Sequence, residues 1–200
     1  MIAALYVETG GCYFGLPDVD PWDLARDARL YAGPWPVVAH PPCNRWCAGL
    51  ADVNQARYGH RVGDDGGTFA AALASVRRWG GVLEHPAYTH AWSAFGLPEP
   101  FRAGWQRTTC GGWVCRVSQV AYGHPARKRT WLYAVVESPP PMLWTEPPHS
   151  VVISSDATLS ARTGSWGAQN ARSPLAFRDA LLAIARSALD APARRASVTP

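Results

Sequence analysis

Two hundred residues with a formal charge of +4 and an isoelectric point near 8.9 fit one domain, large enough to bury a core without disulfide or metal staples. That charge is too slight to hold nucleic acid by electrostatics alone, and no apolar run reaches bilayer length, so no membrane partner is expected. Basic character rests on arginine, with Lys128 the single lysine, and most of the ten tryptophans read as core.

Residues 2–7 (IAALYV) have the apolar, aromatic pattern of a first buried strand. Glu8, Gly10 and Gly11 follow at once. A glycine pair there lets the backbone approach a ligand, and an acid beside it accepts from a ribose or an amine; an ordinary tight turn uses the same residues. The acidic, proline-broken stretch 16–23 reads as loop with a short edge strand, and 23–31 (DLARDARLY) predicts a short helix capped by Asp23.

Residues 37–39 (VVA) are an apolar run bounded by proline, suited to an inner strand of a parallel sheet. Pro41 and Pro42 cannot continue a ladder, so Cys43 falls at a strand's carboxyl end, the edge where open α/β sheets bind ligands. A buried structural cysteine also fits a Pro-Pro turn taken alone. Residues 44–67 are polar and aperiodic, a loop of lid length over that edge. Asp64 or Asp65 then caps a helix over 68–79, closed by Gly80-Gly81. Residues 81–86 (GVLEHP) repeat the earlier design, a short apolar strand with Glu84 at its end. Strand, helix and strand make a right-handed crossover, which brings Cys43 and Glu84 to one edge of neighbouring parallel strands.

Residues 87–110 read as irregular or short-helical cover, 112–117 as a strand, and 120–134 as a basic turn feeding a strand over 131–136. Five prolines in 139–148 punctuate a linker. A small strand at 151–154 and a mobile Ser/Gly-rich segment at 156–172 are expected next. Ser173-Pro174 starts an amphipathic helix with Phe177, Leu181, Ile184 and Leu189 or its neighbours on one face, and the tail from Asp190 frays. The expected class is therefore α/β, a mainly parallel sheet flanked by helices. A catalytic unit over 1–137 is followed by a linker, mobile segment and closing helix over 138–200, packed on the same domain.

Cys12, Cys43, Cys47, Cys110 and Cys115 are odd in number, and MIAALYV lacks the form of a secretory signal, so a reducing, cytoplasmic setting with free thiols is expected. The cysteine spacings are wider than those of most zinc knuckles, and no metal is expected.

Three motifs in order, HPPC (40–43), LEHP (83–86) and YGHPARKRTWLYA (122–134), resemble the central block of the DNA cytosine-5 methyltransferases. The third is similar to the GHxxxKxTxLW form of a compact phage and prophage branch, through Gly123, His124, Lys128, Thr130, Leu132 and Tyr133. The ending RSPLAFRDALLAIARS resembles that branch's closing helix. The resemblance implies a trimmed Rossmann-like methyltransferase fold in a bacterial or phage-infected cell, with S-adenosyl-L-methionine as donor and cytosine-containing DNA as partner. It makes Cys43 the nucleophile that adds to carbon 6 of a flipped-out cytosine and Glu84 the group that holds the base at N3 and its amine. Lys128 and Thr130 contact the ring O2.

For the donor it implies Glu8, Gly10, Gly11 and Pro41, with Asp20 on the ribose or amine and Trp22 on the adenine. Asn44, Arg45, Arg127 and Arg129 are the candidates for nucleic-acid binding, Arg127 and Arg129 through phosphate. The chain departs from the family in three ways: the first motif is reduced to VETGG, His85 replaces the Asn after the motif Glu, and too few residues remain for a usual target-recognition domain. Two other functions are weighed. One is a phage-type pyrimidine-modifying enzyme with another donor; the other is a catalytically silent DNA-binding or counter-defence protein.

Overall fold

The computed structural model describes residues 1–47, 59–148 and 172–189. The expected strand at 151–154, almost all of the 156–172 segment, the tail from Asp190 and the middle of the 44–67 loop lie outside the described residues.

Among the described residues, apolar, β-rich segments form seven strands: β1 (Ile2–Leu5), β2 (Val19–Trp22), β3 (Val37–Ala39), β4 (Gly81–Pro86), β5 (Gln106–Arg107), β6 (Trp113–Ser118) and β7 (Arg129–Val135). Among the described residues three α-helices accompany them, α1 (Thr68–Trp79), α2 (His90–Ala94) and α3 (Leu175–Ser187). No helix among the described residues is long and apolar enough to cross a membrane.

The strands make one sheet in the order β2-β1-β3-β4-β7-β6-β5. From β2 to β4 the pairing is parallel; β7 joins β4 antiparallel, and β6 and β5 continue antiparallel. The α/β class is as expected, but the sheet is mixed, and the expectation of a mainly parallel sheet is met only in its first half. The cause is connection length. A parallel neighbour needs a crossover of a dozen or more residues, which α1 supplies between β3 and β4, whereas β6 and β7 are joined by a ten-residue connection containing the short 3₁₀ turn Gln119–Tyr122, which returns the chain antiparallel.

Alternation along the strands fills two layers. Ala3, Leu5, Val37, Ala39, Leu83, Tyr133 and Val135 face α1 through Phe69, Leu73 and Val76. Ile2, Ala4, Val38, Val82, Leu132 and Ala134 face α3 through Phe177, Leu181 and Ile184. At the end of that face it is Ala188 that packs against the layer, while its neighbour Leu189 is exposed. β3 and β4 approach so closely that a Cβ on Gly81 would lie 1.9 Å from the Val37 carbonyl oxygen, so only glycine fits at this position.

Asp65 caps α1 as expected, its carboxylate accepting from the Gly67 and Phe69 amides at 2.9 and 2.8 Å. The helix expected at 23–31 is instead two 3₁₀ turns, Leu24–Arg26 and Ala28–Leu30. Asp23 and Asp27 accept from the amides of Ala25 and Arg29, and this local capping competes with a continuous helix. Asp27 breaks the run at φ 28°.

Candidate active site

The carboxyl ends of β1, β3 and β4 open on one cavity of about 760 Å³. The chain after β1 gives it Tyr6 to Tyr13, β3 leads into His40 to Cys43, and β4 brings Glu84 and Pro86. Lys128 reaches it from the turn before β7, and Arg172, Ser173 and Leu175 wall it from the start of α3. The volume lies in the range typical of small-molecule sites. Of the residues singled out in the sequence, Glu8, Gly10, Gly11, Pro41, Cys43, Glu84 and Lys128 line this cavity.

Cys43 opens a single helical turn, with the amides of Trp46 and Cys47 donating to its carbonyl at 2.9 and 3.0 Å. The turn sets the Cys47 side chain beside that of Cys43, four residues on. A hydrogen bond from the Cys47 thiol is the largest influence on Cys43 and lowers its pKa; burial and Glu84 oppose it, and Lys128 helps it, leaving a net fall. The same bond raises the Cys47 thiol well above its usual range. Of the two, Cys43 is the thiol poised to ionise.

Glu84 is 8 % exposed, and burial alone pushes its carboxyl up. The hydrogen bond and charge of His40, followed by Lys128, more than reverse this and hold it at about 2. The His40 Nδ1–H donates to Glu84 Oε2 at 3.1 Å, while Nε2 shares a 2.9 Å hydrogen bond with the Tyr13 hydroxyl. On the other side the buried Gln119 amide donates to Glu84 Oε1 at 3.4 Å and to Thr130 Oγ1 at 3.0 Å. Thr130 is fully buried and lies behind Glu84 rather than in the cavity. His124 fixes the turn that presents Lys128: it is buried, receives the Ala126 amide on Nδ1 at 3.0 Å, and donates its own amide to the Gln119 carbonyl.

The loop after β1 is drawn tight. Gly10 adopts φ 67°, and a Cβ on Gly11 would stand 2.8 Å from the Glu8 carbonyl oxygen. Glu8 pairs with Arg172 at 3.2 Å, and Arg178 donates to the Cys12 carbonyl at 2.8 Å, so this loop and the start of α3 are fastened together.

The remaining candidates stand apart. Asp20 accepts from the Trp22 indole at 2.8 Å and pairs with Arg26, and Trp22 packs edge-on against Tyr31; neither lines the cavity. Asn44 and Arg45 lie on the turn beyond Cys43, also outside it. Arg127 and Arg129 both pair with Glu146, on the far side of β7 from Thr130. Sequence reasoning assigned no role to Tyr13, His40, Cys47 or Gln119. His40 stood inside the HPPC motif and Cys47 one helical turn from Cys43, and both were visible signals; Gln119 offered none.

No protein-family model, curated protein or solved structure matches the chain.

Proposed function

We propose that this chain is a trimmed methyltransferase-like enzyme that modifies carbon 5 of cytosine in DNA through a covalent adduct on Cys43. The observation that carries the reading is convergence: Cys43, Glu84 and Lys128 come from three separated segments, yet they line one cavity together with the glycine loop. A thiol with a lowered pKa, a buried carboxylate and a cation meet the chemical demand of the reaction, which activates a ring carbon too poor in electrons to react unaided.

The Cys43 thiolate adds to carbon 6, and the carbon 5–carbon 6 π electrons move onto carbon 5, conjugated with N3 and O2. N3 takes up a proton from water as the electrons move, and the ionised Glu84 accepts from the resulting N3–H and from the exocyclic amine. Lys128, which lines the same cavity, meets O2 and the charge developing there. After group transfer, water takes the carbon 5 proton, the thiolate is expelled, and N3 returns its proton to solvent, which restores the ring and frees Cys43. His40 and Gln119 keep Glu84 ionised and aimed.

Glu8, Gly10, Gly11 and Pro41 offer a tight backbone cradle and an acid beside it, which fits the amino-acid end of S-adenosyl-L-methionine. That donor supplies an electrophilic methyl group. Asp20 and Trp22, assigned by resemblance to its nucleoside, are engaged with each other and with Arg26 away from the cavity, and this favours keeping a second reading in which a different one-carbon donor serves the same Cys43 chemistry.

The test is intact-mass spectrometry of the protein with S-adenosyl-L-methionine and an oligonucleotide carrying 5-fluorocytosine, which blocks the final elimination. A methylated adduct that disappears in Cys43→Ser is expected. An adduct without the methyl group selects the second reading, and no adduct with any donor defeats both.

A further inference from the structure

We propose that a second cavity, across β7 from the first, binds a nucleobase adjacent to the target cytosine on the same strand, with its phosphate held by Arg116 and Arg129; this rests on the function proposed above. The cavity, of about 230 Å³, is lined by Tyr88, Arg116, Arg129, Trp131, Trp144 and Glu146. Its volume is below the roughly 300–1,000 Å³ of pockets that take whole drug-sized ligands, so it suits one planar ring. Aromatic walls with guanidinium groups at the rim are the chemistry that takes up a base and the phosphate attached to it.

The two cavities are neighbours along the backbone. Pro86 and Lys128 line the first, and the next residues, Ala87 and Arg129, line the second. A strand with one base beside Lys128 therefore has its next nucleotide within reach of Arg129.

Tyr88 is held for a purpose other than packing. Tyr88 is 59 % exposed, its ring tilts against Trp131 at 5.3 Å, and its backbone takes φ 63°, a left-handed conformation that costs a non-glycine residue free energy. The strain is imposed from both sides. The Ala87 amide donates to the Arg129 carbonyl at 3.0 Å, and the buried Thr89 bridges to Cys47. Exposed Arg116, directly across the ladder from Trp131, has no ion-pair partner among the described residues, whereas Glu146 engages both Arg127 and Arg129. Glu146 thus stands where the phosphate would lie and competes with it.

The experiment uses the full chain carrying Cys43→Ser and fluorescein-labelled single-stranded 12-mers with one cytosine, its neighbour on either side intact or abasic, followed by anisotropy. Tyr88→Gly relieves the left-handed backbone and removes an exposed ring, so its melting temperature should hold or rise. It should bind about tenfold more weakly, as expected for loss of one stacking contact. An abasic neighbour on one side should weaken the Tyr88 protein by a similar factor and the Tyr88→Gly protein no further, while Tyr88→Phe binds normally. Glu146→Gln should bind more tightly, with a salt slope steeper by about 0.7 for each additional phosphate contact.

If 5-fluorocytosine adducts still form but neither Tyr88→Gly nor the abasic neighbour costs affinity, the subsite is wrong and the enzyme reading stands. Absence of both binding and adduct in the Cys43 protein overturns the two together. Equal losses for duplex and single strands in Arg116→Ala, with no effect at Tyr88, would reduce the patch to a general phosphate contact and also overturn it.

Discussion

Removing the His40 side chain should damage Glu84 more than it damages packing, and pH separates the two effects. In the wild-type protein the Glu84 carboxyl is held at about 2 against an ordinary value of 4.5, with His40 the largest opposing influence to burial. A gap of that size corresponds to about 3 kcal/mol of stability at neutral pH. The folded pKa is depressed, so this stability is fully present above about pH 4.5 and is lost as pH falls towards 2. In His40→Ala burial dominates and the carboxyl rises to or above its ordinary value. The unfolding free energies of the two proteins, from urea titration, should then differ by about 3 kcal/mol at pH 7 and converge as pH drops from about 4.5 towards 2. His40→Gln can still donate to Oε2 and should recover most of the loss. Adduct formation should show the same dependence, with the acid limb of its pH profile moving upward in His40→Ala. A stability gap that stays constant with pH would mean that His40 only fills space, and would refute the electrostatic role given to it.

Two other groups give sharp expectations. His85 is fully buried, stacked on Trp92 and edge-on to Phe69; burial lowers its pKa to about 4, against partial opposition from Glu84 and the nearby Pro42 carbonyl. Only the unfolded chain takes up this proton between pH 6.5 and 4, so urea-unfolding stability should fall by about 3 kcal/mol across that window on account of His85, and His85→Phe should remove that slope while retaining ring packing. Cys47→Ala removes the hydrogen bond that chiefly lowers the Cys43 thiol, so alkylation of Cys43 by iodoacetamide at pH 7 should slow several-fold, read by intact mass. An unchanged rate would transfer the activation of Cys43 to Lys128 alone.

The parts of the fold readable in the sequence are those where one local rule decides the outcome. Apolar runs cut by Pro41 and by Pro86 marked β3 and β4, and periodicity with an Asp cap marked α1, so the meeting of Cys43 and Glu84 followed from a crossover rule alone. Lys128 was harder. Its arrival in the same cavity depends on β7 pairing with β4, a contact between segments more than forty residues apart that no local pattern encodes. The antiparallel half was legible in principle, because strands at 112–117 and 131–136 joined by a short basic turn leave no room for a crossover. The His40, Gln119 and Thr130 network was not: each residue is unremarkable in sequence, and its role appears only when the polar atoms around one buried carboxylate are accounted for.

The change from parallel to antiparallel pairing between β4 and β7 also explains why so small a chain can assemble the site. In a fully parallel sheet the strand beside β4 would start at the opposite edge and send only its carboxyl end to the ligands. Run antiparallel, β7 begins at the ligand edge, and the basic turn preceding it is placed there with Lys128 on the cavity side of Thr130. In register, Thr130 lies opposite Pro86, and Leu132 opposite Glu84. A single hairpin thus supplies a cation to the first cavity through Lys128 and another to the second through Arg129, while the Thr130 hydroxyl behind them braces Gln119 against Glu84. Lengthening the connection ahead of Arg129 by one residue would break this division, since each step along a strand moves a side chain to the other face.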